Sequence, residues 1–257
     1  MAKLNLTPVW KLPTPEWIMN YLQLQSNRKF APEEARMADY FGDGNYVPFH
    51  AKQVQQRRFP LKRGDFLAGG IHVTLPALRQ LGVTYSHNDY PRELSMYLHR
   101  NVWLSTLKRI RLQIESEGDI PSVFIKPSNK LKRFTGRVVS TMDDIAPLAH
   151  IGNIFVHCSD AVQWCVEYRV PIINGKIQGY FWYDGDKSVM VDTSVVEQMV
   201  NNFASAPSAY CLDIGVLGTG ETALVEMNDA FSIGMYDGME SCYPELLITR
   251  WKELTMG

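Results

Sequence analysis

The clearest alternation of apolar and polar residues in the chain runs through YCLDIGVLGTGETALVEMNDAFSIGMY, residues 210–236. Side chains along a β-strand point alternately to opposite faces, so Leu212, Ile214 and Val216 would share one apolar face. The stretch is divided into two such runs by a glycine-containing turn. The pattern therefore predicts a β-hairpin with one face turned to the protein core.

The other face of this predicted hairpin would carry three polar side chains. Centring the turn between Thr219 and Gly220 places Asp213 opposite Glu226, and Asn228 then projects on the same face. Two facing carboxylates repel each other unless a positive charge lies between them, and Mg²⁺ prefers such oxygen ligands. The prediction needs a turn of even length, because a slip of one residue would move Asp213 to the apolar face. The alternative is an ordinary polar face exposed to solvent.

The first hundred residues have a mixed α/β pattern. The spacing of apolar positions predicts helices over residues 14–28 and 31–42, and a strand followed by a short helix within residues 65–85. Residues 91–118 form the longest predicted helical stretch, with a break near Arg100. Arg100 itself has two interpretations, a clamp for a substrate carboxylate or part of the solvated face of a packed helix.

Beyond residue 121 the pattern favours strands. A hairpin is predicted to turn at Asn174 and Gly175, and an amphipathic helix to cover residues 194–206. Three further short strands are predicted, over residues 122–127, 136–140 and 153–158. This change of pattern divides the chain into a smaller N-terminal α/β domain, residues 1–110, and a second domain, residues 111–257.

Composition and charge narrow the classes of function. The chain has 257 residues, 46% hydrophobic and 21% charged, and its net charge of −1 gives no support for a nucleic-acid partner. The sequence has no membrane helix and no signal peptide, and its four cysteines form no CxxC pair, so we expect reduced thiols and a cytoplasmic protein. The six histidines form no HExxH or HxxxH pair, which argues against a zinc site.

A second candidate cluster begins with Lys126, at the end of a short apolar strand. A lysine there can present a fixed charge to a cleft, and the small loop at Thr135 and Gly136 can bring backbone N–H groups close to phosphates. The basic residues of this region, Lys132 among them, could equally form a solvated loop, as charge runs usually do. The apolar neighbours of Lys126 favour the cleft for that residue.

Glu167 and Arg169 alternate with apolar residues on one predicted strand and would share a face. The arginine could clamp a phosphate or a carboxylate, or the two residues could form salt bridges with each other and their neighbours. The sequence contains neither a GxxxxGK[ST] loop nor the HRD and DFG motifs of a protein kinase. GTGETA matches a dinucleotide-binding pattern, but the residues after it alternate like a strand, which indicates a hairpin turn.

The order of these elements resembles the ATP-grasp superfamily, and within it a little-characterised bacterial and phage branch related to ATP-dependent amide ligases. The resemblance covers residues 121–236 and is carried by FIKP, FTGRV, VEYRVPIINGKIQGYFWY and LVEMNDAFSIGMY. It implies an α/β (α+β) chain with an ATP-grasp fold, preceded by a smaller N-terminal α/β domain. The two subdomains of the grasp would meet at a hinge near residues 154–160.

The resemblance implies contacts with ATP from several places. Lys126 would touch the phosphates, and a flexible flap with Lys132, Thr135 and Gly136 would cover them. The hinge would meet adenine through the backbone of three consecutive residues, Val156, His157 and Cys158. The last two stand where better-known relatives commonly have a glutamate, which is a departure from the family's pattern.

The resemblance also implies catalytic and metal-binding side chains. Glu167 and Arg169 would face the phosphates or the acyl group and act together with Lys126 in catalysis. The implied magnesium ligands are Asp213, Glu226 and Asn228, the same side chains that the alternation places on one face of the hairpin. Asp213 and Asn228 would thereby contribute to the ATP site as well.

The implied function is a Mg²⁺-dependent carboxylate–amine ligase. The γ-phosphoryl group of ATP would pass to a carboxylate, and an amine would attack the resulting acylphosphate to form an amide. The substrates would be small-molecule or peptide carboxylates and amines, with neither a nucleic acid nor a membrane as partner. Three alternatives stay open: an ATP-grasp phosphotransferase, a non-catalytic nucleotide-binding module, and an α/β protein that binds no nucleotide.

Overall fold

The computed structural model describes residues 18–56, 59–128 and 133–257, which fold around three β-sheets. The first sheet is parallel, and each of its strands is followed by a helix. Its strands in spatial order are β2 (Val47–His50), β1 (Asn20–Leu24) and β3 (Phe66–Ala68). The helices are α1 (Pro32–Phe41), α2 (Ala51–Gln55) and α3 (Ile71–Gln80).

Two of the three predictions for this region are confirmed. Helix α1 lies within residues 31–42, and β3 with α3 forms the predicted strand and helix. The helix predicted over residues 14–28 is wrong, because the described part of it contains β1. This strand lies in the middle of the parallel sheet with Tyr21 and Leu22 buried, and a strand covered on both faces lacks the alternation that would distinguish it from a helix.

The second sheet is antiparallel. Its strands in spatial order are β4 (Val102–Thr106), β7 (Phe155–Asp160), β5 (Val123–Pro127) and β6 (Arg137–Val139). One face packs against α4 (Leu107–Glu117) and α5 (Met142–Ile145), which share a buried apolar core with it. The predicted strands 122–127, 136–140 and 153–158 are confirmed.

The long helix predicted over residues 91–118 is wrong in its first part. Arg92–Tyr97 forms a 3-10 helix, and β4 follows it before α4 begins. The division of the chain into residues 1–110 and 111–257 stays a prediction. The predicted boundary at residue 110 falls inside α4. Strand β4, which precedes this helix, pairs with β7 from the other side of the boundary.

The third sheet is also antiparallel, and it contains the two predicted hairpins. Its strands in spatial order are β10 (Phe181–Gly185), β8 (Trp164–Ile173), β11 (Ala209–Leu217) and β12 (Thr222–Asp229), and β9 (Lys176–Ile177) pairs with the end of β8. The turn at Asn174 and Gly175 joins β8 to β9, as predicted. The predicted helix over residues 194–206 is α6 (Thr193–Asn202), which contributes to a core beneath this sheet.

A last helix, α7 (Tyr243–Met256), joins the third sheet to the first. Its residues belong to one apolar core together with residues from α1, β1, β3 and β11. The indole Nε1 of Trp251 donates a hydrogen bond of 2.8 Å to the backbone oxygen of Asp65, just before β3. No helix among the described residues is long and apolar enough to cross a membrane.

The β11–β12 hairpin contains a three-residue turn and a compensating bulge. The N–H of Leu217 bonds to the backbone oxygen of Glu221, which leaves residues 218–220 as the turn. The requirement for an even turn is therefore wrong. The register shifts between the pairs Ile214–Leu224 and Asp213–Glu226, so Val225 is an extra residue in β12. The bulge restores the predicted pairing of Asp213 with Glu226.

Candidate active site

Arg169, Asp213 and Glu226 form a row across three neighbouring strands of the third sheet. Arg169 in β8 pairs in register with Asp213 in β11, which pairs with Glu226 in β12. Arg169 donates two hydrogen bonds of 2.8 Å, from Nε and Nη2, to the two carboxylate oxygens of Asp213. Burial alone would lower the pKa of Arg169, but the charge of Asp213 raises it overall, so the arginine stays protonated.

Asn228 joins the two carboxylates of this row. Its amide nitrogen lies 3.0 Å from Oδ2 of Asp213 and 3.1 Å from Oε1 of Glu226. The structure thus brings the three predicted metal ligands to one point on the face of the hairpin opposite Leu212 and Ile214. Because an amide side chain can turn over, this point can present carboxylate and amide oxygens together, a donor set that fits Mg²⁺.

Asp213 and Glu226 supply only two carboxylates, so a metal ion would have three protein ligands only if the amide oxygen of Asn228 also bound it. The described residues contain no group of three or more His, Cys, Asp and Glu side chains that could hold a metal ion. In the structure Asp213 is paired with Arg169, and Glu226 with a lysine from the second sheet. The assignment of the three side chains to Mg²⁺ therefore stays a prediction.

Lys126 is that lysine, and it spans the gap between the second and third sheets. Its Nζ forms an ion pair with Oε2 of Glu226 and lies 2.7 Å from Oδ2 of Asp89. The ring of Tyr90 lies beneath it, with its centroid 4.8 Å from Nζ. Burial would lower the pKa of Lys126, but the carboxylate of Glu226 and its other neighbours raise it, so the lysine stays charged.

Asp89 is a site residue that the sequence pattern does not reveal. It lies in a polar segment between α3 and the 3-10 helix, yet it is only 5% exposed. Its second oxygen accepts a hydrogen bond from Nε2 of His87. Burial would raise the pKa of Asp89, but the hydrogen bond from His87 and the charge of Lys126 lower it overall. The segment matches no motif, and the contact with Lys126 exists only in the folded chain.

The face of the second sheet that carries Lys126 is an exposed apolar surface. Leu104, His157 and Lys126 form one row across β4, β7 and β5. Leu104 is 57% exposed and Phe155, on the same face, is 62% exposed. Exposed apolar side chains of this size beside a buried lysine are typical of a binding surface.

The three predicted hinge residues lie within β7. Val156 and Cys158 point away from the site into the core beneath α4, and only His157 turns its side chain toward Lys126. The ring of His157 meets the ring of Tyr90 edge to face, with centroids 5.0 Å apart. The backbone of these residues is paired with β4 on one side and β5 on the other. Contact of this backbone with adenine stays a prediction.

Gly136 lies close beside Lys126, where the predicted flap joins β6. A Cβ atom at this position would lie 2.5 Å from the ring of Phe124 and 3.5 Å from Cβ of Lys126. Only a glycine allows the loop to approach β5 this closely. Thr135 belongs to the same described loop, whereas Lys132 lies outside the described residues.

Glu167 lies two residues before Arg169 on β8 and accepts a hydrogen bond of 2.6 Å from the hydroxyl of Tyr183. Burial raises its pKa, and the charge of Asp213 adds to the effect. Arg169 pairs with Asp213 rather than with Glu167. Among the described residues, the carboxyl group of Glu167 therefore lies beside the row without an ion pair to a cation.

Arg100 supports the bulge from outside the row. Its guanidinium donates hydrogen bonds of 2.7 Å to the backbone oxygens of Leu224 and Val225. It also lies 5.2 Å from the ring centroid of Trp164. Both interpretations of Arg100 from the sequence are wrong, because its donors are directed at backbone carbonyl groups of β12 rather than at a substrate or at solvent.

Comparisons with known proteins place this site in a family. Residues 97–246, more than half of the chain, match the model of the ATP-grasp domain, R-2-K clade family 2. Among solved structures, the chain is similar to the D-alanine–D-alanine ligase from Bacillus anthracis, at 14% identity with a TM-score of 0.56, covering 93% of this chain and 97% of that chain. It is also similar to a RimK domain ATP-grasp protein from Sphaerobacter thermophilus DSM 20745, at 10% identity with a TM-score of 0.50, covering 93% and 100%.

None of the curated proteins matches the sequence. At such low identities the two solved structures support the ATP-grasp fold alone. The family assignment depends instead on the match over residues 97–246, a range that contains Lys126 and the whole Arg169–Asp213–Glu226 row. The chain belongs to the ATP-grasp domains, in family 2 of the R-2-K clade.

Proposed function

We propose that the protein is an ATP-dependent carboxylate–amine ligase that forms an amide through an acylphosphate. The observation that carries the proposal is the meeting of Lys126 with the Arg169–Asp213–Glu226 row between two antiparallel sheets. Two fixed cations and a set of hard oxygen donors face one gap. This combination suits a nucleotide triphosphate and its metal ion.

The nucleotide would lie against the second sheet. The exposed side chains of Leu104 and Phe155 offer an apolar floor for a flat base, and Lys126 lies at the end of β5 on the same face. The ammonium group of Lys126 would exchange Asp89 and Glu226 for phosphate oxygens. The loop at Gly136, which already lies against β5, would cover the phosphates from the other side.

Asp213, Glu226 and Asn228 would hold Mg²⁺, which would offset the negative charge that develops on the phosphates. The contribution of the chain itself is to hold these donors in place before ATP arrives. Arg169 fixes Asp213 through two hydrogen bonds, and the bulge at Val225 sets the face on which Glu226 projects. Such preorganised charge lowers the barrier without a protein nucleophile.

In the reaction, an oxygen of the carboxylate substrate attacks the γ-phosphorus of ATP, and ADP leaves. The nitrogen of the amine substrate then attacks the acyl carbon, and phosphate leaves. Lys126 and Arg169 would stabilise the charge on the transferred group. Glu167, whose pKa is raised by burial, would accept a proton from the incoming amine.

Calorimetric titration of ATP with and without Mg²⁺ tests the nucleotide site. We expect Mg²⁺-dependent binding to the native protein and its loss in Glu226→Gln. Glu221→Gln is a matched control, because Glu221 is exposed near the turn of the same hairpin. The nucleotide site is refuted if the native protein does not bind ATP at millimolar concentration.

Product analysis tests the reaction. The protein is incubated with ATP, Mg²⁺ and mixtures of small acids, peptides and amines, and ADP release is measured together with hydroxylamine trapping. A ligase gives a hydroxamate and consumes an amine in proportion to ADP. A stable phosphorylated product with no hydroxamate would identify the phosphotransferase instead, and ATP binding without ADP release under any mixture would identify a binding module.

A further inference from the structure

We propose that an aromatic pocket at the outer edge of the third sheet binds the amine substrate, and that this substrate is a primary amine attached to an aromatic or similarly flat group. The proposal rests on the ligase function proposed above and names the class of one of its substrates. The pocket lies between β10 and the segment that follows β12, and its volume is about 300 Å³. The residues that define it here are Trp182, Tyr183, Lys187, Met235, Tyr236 and Asp237.

The wall of this aromatic pocket is in direct contact with Arg169, the first residue of the Arg169–Asp213–Glu226 row. The rings of Tyr183 and Tyr236 are stacked, with centroids 4.8 Å apart and planes 11° from parallel. Cζ of Arg169 lies 4.6 Å from the ring centroid of Tyr236, and the hydroxyl of Tyr183 donates to Glu167. A ligand in the aromatic pocket would therefore lie one side chain away from both Arg169 and Glu167.

The aromatic pocket lies at the opposite end of the row from Lys126. The strands follow the order β10, β8, β11 and β12, so the row runs from the pocket through Arg169, Asp213 and Glu226 to Lys126. With the nucleotide at the lysine end, the β10 side is the end of the row that is left for a second substrate. The position of the aromatic pocket fits that entrance.

Charge indicates an amine rather than an acid. Asp237 lines the aromatic pocket, and Glu167 and Asp184 lie beside its Tyr183 wall. Among the described residues the lining contains one cation, Lys187, because the charge of Arg169 is already paired with Asp213. Aromatic faces also attract cations, and Nζ of Lys187 already lies 4.0 Å from the ring centroid of Trp182. An ammonium group would be stabilised at the inner end, where the carboxyl group of Glu167 is available.

The size and lining of the aromatic pocket indicate a flat group next to the amine. About 300 Å³ is at the lower end of ligand pockets, enough for one indole or phenyl group and a short linker. Trp182 and Tyr183 contribute ring surfaces to the lining, and flat groups stack favourably on such rings. The body of the substrate would fill the aromatic pocket while its nitrogen faces the row.

In the amide-forming step, Glu167 and the departing phosphate take up the two protons that the ammonium group loses. The ammonium transfers one proton to the carboxylate of Glu167 and becomes a neutral amine. Its lone pair forms the new C–N bond with the acyl carbon of the acylphosphate. The C–O bond to phosphate breaks with its electron pair remaining on the phosphate, which takes the second proton from nitrogen.

A matched pair of indoles tests the proposal, because they share a ring and differ in charge. Tryptamine and indole-3-propionate are titrated by calorimetry into the protein saturated with ADP and Mg²⁺. We expect tryptamine to bind roughly tenfold more tightly than the acid, the ratio that one ion pair and one cation–ring contact would give. Trp182→Leu should abolish tryptamine binding, and Asp237→Asn should weaken it severalfold.

Trp103→Leu is the control, because Trp103 is a partly exposed tryptophan on β4 in the other sheet and should not affect either titration. Binding of neither indole, preference for the acid, or an equal effect of Trp103→Leu overturns the amine pocket. ATP binding is measured separately, on the same protein preparations without ADP. If ATP binds and tryptamine does not, the amine pocket fails while the nucleotide site stands; if tryptamine binds and ATP does not, the proposed function fails and the pocket stands as an amine site.

Discussion

The guanidinium of Arg100 donates a hydrogen bond of 2.7 Å to the backbone oxygen of Val225, the extra residue of the β12 bulge. A second hydrogen bond of 2.7 Å holds the oxygen of Leu224. The bulge decides whether Glu226 and Asn228 face Asp213, because a strand shifted by one residue turns its side chains to the other face. Arg100 thus positions two predicted metal ligands without touching them.

Arg100→Met is expected to lower the free energy of unfolding by about 1–3 kcal/mol, because it leaves three backbone oxygens, the two of β12 and that of Leu98, without their charged donor. Mg²⁺-dependent ATP binding should weaken as well, since the bulge loses its clamp. Urea denaturation and calorimetry measure the two effects. Arg100→Lys should recover part of the binding, because an ammonium can still donate to one of the two oxygens.

Arg111→Met is the matched control for Arg100→Met. Arg111 also donates to backbone oxygens, those of Leu148 and Ile151, but it lies in α4 away from β12. We expect a similar loss of stability with ATP binding unchanged. If Arg111→Met and Arg100→Met weaken ATP binding equally, Arg100 acts through general stability and not through the bulge.

Arg169→Met should lower the free energy of unfolding by about 3–5 kcal/mol, because the carboxylate of Asp213 stays buried without its cation. Urea denaturation measures the loss, and adding Asp213→Leu to the variant should recover part of it. Arg250 and Asp229 form a second ion pair of this kind, with hydrogen bonds of 2.8 Å and 2.6 Å, outside the row. Arg250→Met should therefore destabilise the fold comparably but leave the ATP affinity of the folded protein unchanged.

Gly136→Ala is expected to weaken ATP binding severalfold, because the added Cβ would lie 2.5 Å from the Phe124 ring beside Lys126. The ring or the loop must move, and both border the predicted phosphate site. Gly152→Ala is the control, since a Cβ there meets no atom of the described residues within 4 Å. Equal ATP affinities for the two variants, measured by calorimetry, would contradict a role for the loop in covering the phosphates.

Stability should depend on pH through Glu34, a buried residue of α1. Burial, and secondarily the charge of Glu33, raises the pKa of Glu34 to about 7 from an ordinary value of 4.5. The folded protein therefore binds this proton more tightly than the unfolded chain. The contribution is complete below pH 4.5 and is lost as the pH rises to 7.

Glu34→Gln removes this dependence, because glutamine has a similar shape and no charge. At pH 8 the variant should be more stable than the native protein by up to about 3 kcal/mol, and near pH 4.5 the two should be equal. Urea titrations at several pH values measure the difference. Glu115→Gln, on the exposed side of α4, is the control for the chemical change itself.

The hairpin that holds the site was predictable because it depends on alternation, which sequence displays directly. The facing of Asp213 and Glu226 was predicted with the wrong turn length, since the three-residue turn and the extra Val225 cancel each other. Away from the turn, the three-residue turn and the extra Val225 leave the alternation of apolar and polar residues unchanged, so the sequence pattern reveals neither of them. A pattern can therefore give the pairing at the site without giving the path of the chain between the paired residues.

Other parts of the site could not be predicted because they depend on contacts distant in sequence. Asp89 lies in a polar segment that matches no motif, and its ion pair with Lys126 from β5 forms only in the folded chain. The strand at Asn20–Leu24 was assigned to a helix because its burial comes from neighbours, β2 and β3, that its own residues do not reveal. The aromatic side chains of β10 form a pocket only together with the segment after β12, which is distant from them in sequence.

The packing of α7 affects the order in which the chain can fold as it is made. Trp251 fills the core of the first sheet, with its ring centroid 6.2 Å from that of Phe66, so this sheet is built from the two ends of the described chain. Domains usually fold in the order in which the ribosome produces them. Here the core of the first sheet also contains Trp251, so the strands of this sheet cannot complete their packing until α7 has been synthesised.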